Sequence, residues 1–270
     1  MSRIDVKKTY KLYINGAFPR SESGRVYEVK NAKGQFIANP ALASRKDLRD
    51  AVVASRAAFG KWSSSSAYLR GQILYRIAEM LEGRSEQFET ELKAIGDKTK
   101  LSEAVDLIVW YAGWTDKLSA LDGVTNPVSG PFYNFTTPEA LGVVGIISKP
   151  NFLEFIDSVM SVISSGNSAV VLAPDALGIP AMSFAEVLAT SDLPAGVLNI
   201  LTGKVNELAP WMASHMDIDG LDITGAKSQG ELKVAGAENL KRIHSFGIIK
   251  NPARILAFME AKTVWHTIGI

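Results

Sequence analysis

The feature that most constrains the fold is a regular alternation of short apolar segments and helix-length segments after Pro138. The apolar segments are Gly142–Ile147, Ser168–Leu172, Val197–Leu201, Gly220–Ile223 and Leu240–His244. Such continuous apolar runs are typical of strands buried on both faces. The residues between them suffice for helices of about ten residues. This pattern predicts an α/β fold with a doubly wound parallel sheet and helices on both sides.

The amino-terminal part of the chain has different patterns. Apolar and polar residues alternate from Tyr10 to Phe18 around Asn15-Gly16, a strong signal for a hairpin turn. Helical spacing begins after Ser44, a candidate cap with Asp47 three residues on, and ends at Trp62. Further helices are predicted over Leu69–Glu82, Ser85–Ile95 and Leu101–Leu118.

Composition excludes several classes of function. The 270 residues contain no cysteine, which excludes disulfides, thiolate metal sites and thiol catalysis. The three histidines lie too far apart in sequence for a short metal-binding motif, so no metal site is predicted. A formal net charge of +1 gives no reason to expect a nucleic-acid partner. No signal-peptide pattern and no apolar run of about 20 residues occurs, so we expect a cytoplasmic protein without a membrane partner.

A collinear series of motifs from about residue 10 to residue 247 resembles the amino-terminal and cofactor-binding part of NAD(P)-dependent aldehyde dehydrogenases. The motifs are Tyr13-Ile14-Asn15-Gly16, Ala51–Trp62, Leu74–Leu81, Gly142–Ile147, Ser165-Gly166-Asn167, Leu193–Asn199 and Thr224-Gly225. The resemblance implies a Rossmann-like cofactor domain over residues 1–250, with amino-terminal helices and an oligomerisation arm near residues 124–141.

The catalytic groups that the resemblance implies are largely missing. The family uses a cysteine thiolate, which a Ser or Thr hydroxyl does not replace without an activating base. The family's general-base glutamate has no counterpart in the segment from His244 to Lys250, which contains no carboxylate. Asn151 is the one retained match to a catalytic residue, where the family uses an Asn to stabilise an oxyanion. Two roles stay open for Asn151, an oxyanion donor and a structural turn residue.

The cofactor contacts that the resemblance implies are also reduced. Ala173 and Ala176 replace the family's Lys and Glu, which hold the adenosine ribose, and Ala226 replaces a Ser near the pyrophosphate. Losing two such hydrogen bonds weakens binding roughly a hundredfold or more. Thr224 and Gly225 remain at the helix start that faces the pyrophosphate. We therefore expect no tightly bound cofactor, and at most weak binding of NAD(P).

The last residues also resemble the family, although the catalytic domain does not follow Lys250. The segment Ile255–Trp265 resembles the family's final helix and its Lys-Thr-Val strand. Residues 251–270 are therefore predicted to form a carboxy-terminal helix and an oligomerisation strand, about Thr263–Ile268, as though the catalytic domain had been excised. The predicted interface residues are Phe132, Tyr133 and Phe135 on the arm and Val264 and Trp265 on the terminal strand.

These expectations favour a non-catalytic subunit, a pseudoenzyme that assembles with a full-length aldehyde dehydrogenase and stabilises or regulates it. Self-association through the same surfaces stays open as an alternative. A second hypothesis is a stand-alone or homodimeric nucleotide-binding or sensing domain. A third is a residual component of an aldehyde oxidoreductase whose partner carries the cysteine.

Overall fold

The computed structural model of the chain describes residues 8–31, 33–247 and 250–269. The first seven residues and the pair Ile248-Ile249 belong to the range predicted above as the cofactor domain, and they lie outside the described residues. The helices are α1 Arg45–Ser63, α2 Ala67–Glu82, α3 Ser85–Ile95, α4 Leu101–Trp114, α5 Leu118–Asp122, α6 Phe152–Ser164, α7 Gly178–Leu188, α8 Val205–Ser214, α9 Gln229–Ala237 and α10 Pro252–Leu256. The strands are β1 Val29–Lys30, β2 Phe36–Ala38, β3 Val124–Asn126, β4 Phe132–Ala140, β5 Val143–Ile147, β6 Ser168–Pro174, β7 Leu198–Gly203, β8 Gly220–Asp222, β9 Arg242–His244 and β10 Met259–Thr267.

The predicted parallel sheet is confirmed, with strand order β7-β6-β5-β8-β9. The side chains of β5 alternate between two cores. Val144 and Ile146 pack with buried residues of α2, α4, α6 and α7, whereas Val143 and Ile147 pack with those of α1 and α8. Because both faces are covered by helices, β5 has no need of polar residues, which explains its continuous apolar sequence.

The predicted caps set the helix starts. Ser44 and Asp47 form a capping box at α1, with Ser44 Oγ accepting from the Asp47 amide and Asp47 Oδ2 accepting from the Ser44 amide at 2.8 Å. Helix α2 begins two residues before the predicted Leu69, because Ser66 Oγ accepts a hydrogen bond from the Leu69 amide.

The prediction of one helix over Leu101–Leu118 is wrong. Helix α4 ends at Trp114, and the separate short helix α5 begins at Leu118. The hydroxyl of Thr115 donates to the Ala112 carbonyl at 2.9 Å. This local side-chain bond competes with continued helical pairing, as threonine hydroxyls commonly do.

The predicted turn at Asn15-Gly16 is confirmed. Ile14 and Ala17 exchange two backbone hydrogen bonds of 3.0 Å, and both central residues have positive φ. The residues before the turn do not form a long hairpin. Instead, Tyr13 forms an antiparallel bridge with Ile200, so this segment extends the edge of the sheet at β7.

The arm is a separate antiparallel sheet with strand order β10-β4-β3. Strand β10 pairs with β4 along its whole length, from Met259 opposite Ala140 to Thr267 opposite Phe132. The terminal strand is therefore longer than predicted, and one of its edges is hydrogen-bonded to β4 of the same chain. Pro138 lies in β4 beyond the end of the short strand β3. No strand pairs with β4 on that side, so the amide hydrogen that proline lacks costs no hydrogen bond between strands.

Residues after Lys250 pack into the same core as α6. Ile255, Phe258 and Met259 are buried with the apolar residues of α6, and α10 contacts that helix directly. In the described part of the chain, none of the helices combines the length and the apolar character that crossing a bilayer requires.

Candidate functional site

The sheet has one topological switch point, between β5 and β8, where successive strands are added in opposite directions. In open α/β sheets, ligands bind outside the carboxyl ends of the strands at such a point. Here the carboxyl end of β5 leads into Ser148-Lys149, and that of β8 leads into Thr224-Gly225. We call this place the switch-point crevice, which is lined by Ser148, Lys149, Glu154, Ser158, Thr224, Phe246, Gly247 and Arg254.

The predicted residues Thr224 and Gly225 do lie at this crevice, but their polar groups bond within the chain. The Gly225 amide donates to the Ile147 carbonyl at 2.8 Å. The Thr224 hydroxyl donates to Asp222 and accepts from the Phe246 amide at 2.9 Å. A side chain at Gly225 would meet the Ser148 carbonyl, since a Cβ there would lie 2.1 Å from that oxygen. The two strand ends are thus in direct backbone contact.

The crevice itself is occupied by Arg254, which enters from α10. Its guanidinium forms ion pairs with Asp157 of α6 and with Asp222 of β8, the latter at 2.5 Å. Both carboxylates are 0% exposed, and Arg254 is 2% exposed. The Phe246 ring covers the guanidinium at 4.7 Å. The Tyr111 hydroxyl donates to Asp157 at 2.7 Å, which satisfies a further carboxylate lone pair.

The electrostatics of this network follow from burial. Burial alone would lower the pKa of Arg254, but the adjacent Asp222 and Asp157 carboxylates outweigh it and raise that pKa. Burial raises the pKa of the Tyr111 hydroxyl, and the neighbouring Asp157 raises it further. Arg254 therefore stays charged and Tyr111 stays protonated at any physiological pH.

The space left in the switch-point crevice is about 10 Å³. A single water molecule needs roughly that much. The Nε atom of Arg254 has no hydrogen-bond partner within the described residues. The crevice can therefore hold one water beside Arg254.

Asn151 caps helix α6. Its Oδ1 accepts from the Glu154 amide at 3.0 Å, and its Nδ2 donates to Asp97 and Thr99 at 3.3 and 3.2 Å. The Asp97 carboxylate also accepts from the Phe152 amide at 2.7 Å. The amide of Asn151 is thus engaged in local structure, which favours the turn-residue interpretation over an oxyanion donor.

The three alanines predicted at the cofactor contacts lie in two places. Ala173 is buried in β6 opposite Thr202, and Ala176 is exposed in a short 3-10 turn after that strand. Ala226 lies beside the switch point, where its amide donates to the Ile223 carbonyl at 3.0 Å. None of the three methyl groups can supply a hydrogen bond to a ribose or a phosphate.

Sequence reasoning missed the network of Asp157, Asp222 and Arg254. A signal was present, because Asp157 stands in the apolar helix α6 and Asp222 in the apolar strand β8. A charge in a buried apolar element requires a partner of opposite charge. The sequence does not show which of the 29 basic residues supplies it.

The predicted interface residues come together on the arm. Phe132 and Trp265 meet edge to face at 5.9 Å, and Phe135 stacks on His266 at 5.7 Å. Tyr133 and Trp265 remain 48% and 59% exposed, which is unusual for large aromatic side chains. Among the described residues, no group of three or more acidic, His or Cys side chains is placed to hold a metal ion.

Comparison with known proteins agrees with the sequence resemblance. A model of the aldehyde dehydrogenase family matches residues 18–267. Human retinal dehydrogenase 2 is 32% identical over 255 residues, which cover 89% of this chain and 48% of that protein. The structure of PnpE from Pseudomonas sp. WBC-3 has a TM-score of 0.82 at 25% identity, over 88% of this chain and 50% of that one. The NAD+ complex of an aldehyde dehydrogenase from Bacillus cereus has a TM-score of 0.79 at 25% identity, over 87% and 50%. The chain spans about half the length of the retinal dehydrogenase 2 sequences it matches.

Proposed function

This chain belongs to the aldehyde dehydrogenase family, and on that premise we propose that it is a non-catalytic subunit that assembles with a full-length, catalytic member. The family's reaction uses a cysteine thiolate, and none of the 270 residues is a cysteine. A hydroxyl needs an activating base to act as nucleophile instead. The absence of the nucleophile supports a role in assembly rather than in aldehyde oxidation.

The observation that carries the proposal is the closed switch-point crevice. Relatives of similar fold bind NAD+, and a dinucleotide in this fold lies at the switch point. Here the nucleotide would have to displace Arg254 from Asp157 and Asp222. Breaking such a buried pair costs about 3–5 kcal/mol, which corresponds to a loss in affinity of roughly a hundredfold to a thousandfold or more. Any NAD(P) binding at this crevice would therefore be weak.

The arm supports the assembly part of the proposal. Strand β10 lies at the edge of its sheet, so within the described residues its outer backbone groups have no strand partner. Edge strands recruit further strands, and exposed aromatic residues such as Tyr133 and Trp265 add contact area. In the family, the arm of one subunit packs against the catalytic domain of its neighbour. A catalytic member would supply such a packing surface to the arm of this chain.

The assembly proposal can be tested with purified proteins. The chain would be mixed with a full-length aldehyde dehydrogenase from the same organism, and the mass of the complex would be measured by light scattering after gel filtration. We expect a complex of both chains, and we expect it to be lost when Val264 and Trp265 are both changed to Asp. Tyr75→Asp, which places a charge at an exposed aromatic of α2, should leave the complex intact.

Two results would contradict the proposal. A complex that survives the double change at Val264 and Trp265 would exclude the arm as the contact. A homodimer that ignores the catalytic enzyme would favour the self-associated alternative. The claim that the chain is non-catalytic is tested by an activity assay. Aldehyde-dependent formation of NADH by the pure chain would show that it is an enzyme.

A further inference from the structure

A second cleft lies away from the switch point, between the first turns of α1 and the last turns of α8. We call it the basic groove; Arg25, Arg45, Lys46, Arg49, Trp211 and His215 are among its lining residues. Its volume is about 890 Å³. Sites for small molecules commonly measure roughly 300–1,000 Å³. The groove is therefore large enough for a ligand the size of a nucleotide, in contrast to the crevice.

Basic side chains outnumber acidic ones among the lining residues of this groove, and Glu22, Asp50 and Glu207 pair with three of the four cations. Four basic side chains line it, and Glu22 is the single acidic side chain among its lining residues. The chain as a whole carries a formal net charge of only +1, so these cations are locally concentrated. Such a concentration raises the local density of anions.

Two of these cations have long ion pairs near the groove. Arg25 lies 3.7 Å from Glu207, and Lys46 lies 3.7 Å from Glu22. All four side chains are about half exposed, and ion pairs of this kind contribute little to stability. Arg25 and Lys46 can therefore exchange these partners for a ligand's phosphate oxygens at small cost. Arg49 has a shorter pair, 2.7 Å from the Asp50 carboxylate, and both of these side chains are also about half exposed. Arg49 must exchange this partner to bind phosphate.

The groove also offers a flat surface for a planar ring. The guanidinium carbon of Arg45 lies 3.6 Å from the centre of the Trp211 ring, and Trp211 remains 45% exposed. Guanidinium groups and indole rings both stack on nucleobases. Arg45 and Arg49 are four residues apart on α1, so they point to the same side of that helix. The stacking surface and a phosphate-binding cation thus adjoin each other.

We propose that the basic groove binds a nucleoside polyphosphate. Its base would stack on the Arg45–Trp211 pair, and its phosphates would lie against Arg25, Lys46 and Arg49. This site is separate from the switch-point crevice, and it is independent of the assembly through the arm. The combination of cations and an exposed aromatic ring selects a ligand that carries both phosphate and base.

The experiment is an ATP titration of the full chain by isothermal titration calorimetry, with adenosine and inorganic triphosphate titrated separately. We expect ATP to bind, and each of the two parts to bind at least about tenfold more weakly, because each makes only part of the contacts. The double substitution R45E/R49E and the single substitution Trp211→Ala should each raise the Kd for ATP at least about tenfold.

Matched controls separate this site from general charge effects. Arg76→Glu changes an exposed arginine on α2, and Trp265→Ala removes an exposed tryptophan on the arm. Both should leave the Kd for ATP unchanged, and circular dichroism should show all variants folded. The proposal is overturned if ATP does not bind, if the groove variants bind as tightly as the original chain, or if inorganic triphosphate binds as tightly as ATP.

Discussion

The switch-point crevice and the basic groove both contain an arginine against an aromatic ring, yet the two places differ in every other respect. Arg254 contacts Phe246, is 2% exposed and is neutralised by two buried carboxylates. Arg45 contacts Trp211 at the surface of an open groove. Where the arginine is desolvated, its charge is balanced within the chain by buried carboxylates. Where the arginine is solvated, as Arg45 is, its guanidinium is accessible to a ligand. Solvation, rather than residue type, therefore decides the role.

The largest expected effect in this comparison is that of Arg254→Ala. The change leaves Asp157 and Asp222 buried without a counter-charge. Removing one partner of a buried ion pair costs about 3–5 kcal/mol. We expect the free energy of unfolding, measured by urea denaturation, to fall by that amount. A fall of less than about 1 kcal/mol would mean that water reaches these carboxylates, and that the crevice is open in solution.

The next effect concerns the backbone contact that closes the crevice. In Gly225→Ala, the new Cβ would lie 2.1 Å from the Ser148 carbonyl oxygen, so the two strand ends must separate. Forcing an extra group into a packed site costs about 1–3 kcal/mol, which denaturation would detect.

The matched control for this change is Gly230→Ala in α9. A Cβ there meets nothing within 4 Å, and replacing glycine by alanine at an unstrained position stabilises by about 0.4–1 kcal/mol. Equal effects of the two substitutions would contradict the close contact at Gly225.

A smaller effect should appear in the pH dependence of stability. His244 lies between the rings of Phe246 and Phe258, at 5.8 and 5.5 Å, and burial lowers its pKa, with nearby Arg242 acting in the same direction. Because the unfolded chain binds a proton at a pKa of about 6.5, it takes up more protons than the native state once the pH falls through that value. Stability should therefore decrease below about pH 6.5 and be unaffected by this group above it.

The variant His244→Phe isolates this contribution, since phenylalanine keeps an aromatic ring at this position but has no titrating group. His215, whose pKa is also lowered by burial, is present in both proteins and acts equally in each. Urea denaturation at pH 7.5 and pH 5.5 should show a smaller acid loss in the variant. If the two proteins lose equal stability at pH 5.5, the pH dependence comes from groups other than His244.

The smallest effect should be that of Arg45→Ala. Exposed residues outside caps and buried networks usually change stability by no more than about 0.5 kcal/mol. Its free energy of unfolding should therefore remain close to that of the original chain, in contrast to Arg254→Ala. A large loss would show that Arg45 supports the fold, and would weaken the case for a ligand site.

The sequence predicts those parts of the molecule that depend on neighbouring residues. The buried strands, the capping box of Ser44 and Asp47 and the turn at Asn15-Gly16 all followed from local patterns. The break after Trp114 did not, because a single hydroxyl bond from Thr115 competes there with strong helical spacing. The predictions fail where the outcome depends on such a fine balance.

The two sites escape sequence reasoning for a different reason. Arg254 and Asp157 are almost a hundred positions apart, and Arg45 and Trp211 are farther apart still. The net charge of +1 hides the basic groove, because the 28 acidic residues of the chain nearly cancel its 29 basic residues. The net charge of the whole chain therefore gave no reason to expect a nucleic-acid partner, whereas the fold brings four basic side chains together in one groove.

The pairing of β10 with β4 has a consequence for how the chain folds. Met259 pairs with Ala140, so β4 can pair with β10, the strand it contacts along its whole length, only after more than a hundred further residues have been synthesised. Contacts so distant in sequence form slowly, because closing a long loop costs entropy before the contact is gained. During synthesis β4 therefore presents an unprotected edge, and the nascent chain passes through an interval in which aggregation competes with completion of the native state.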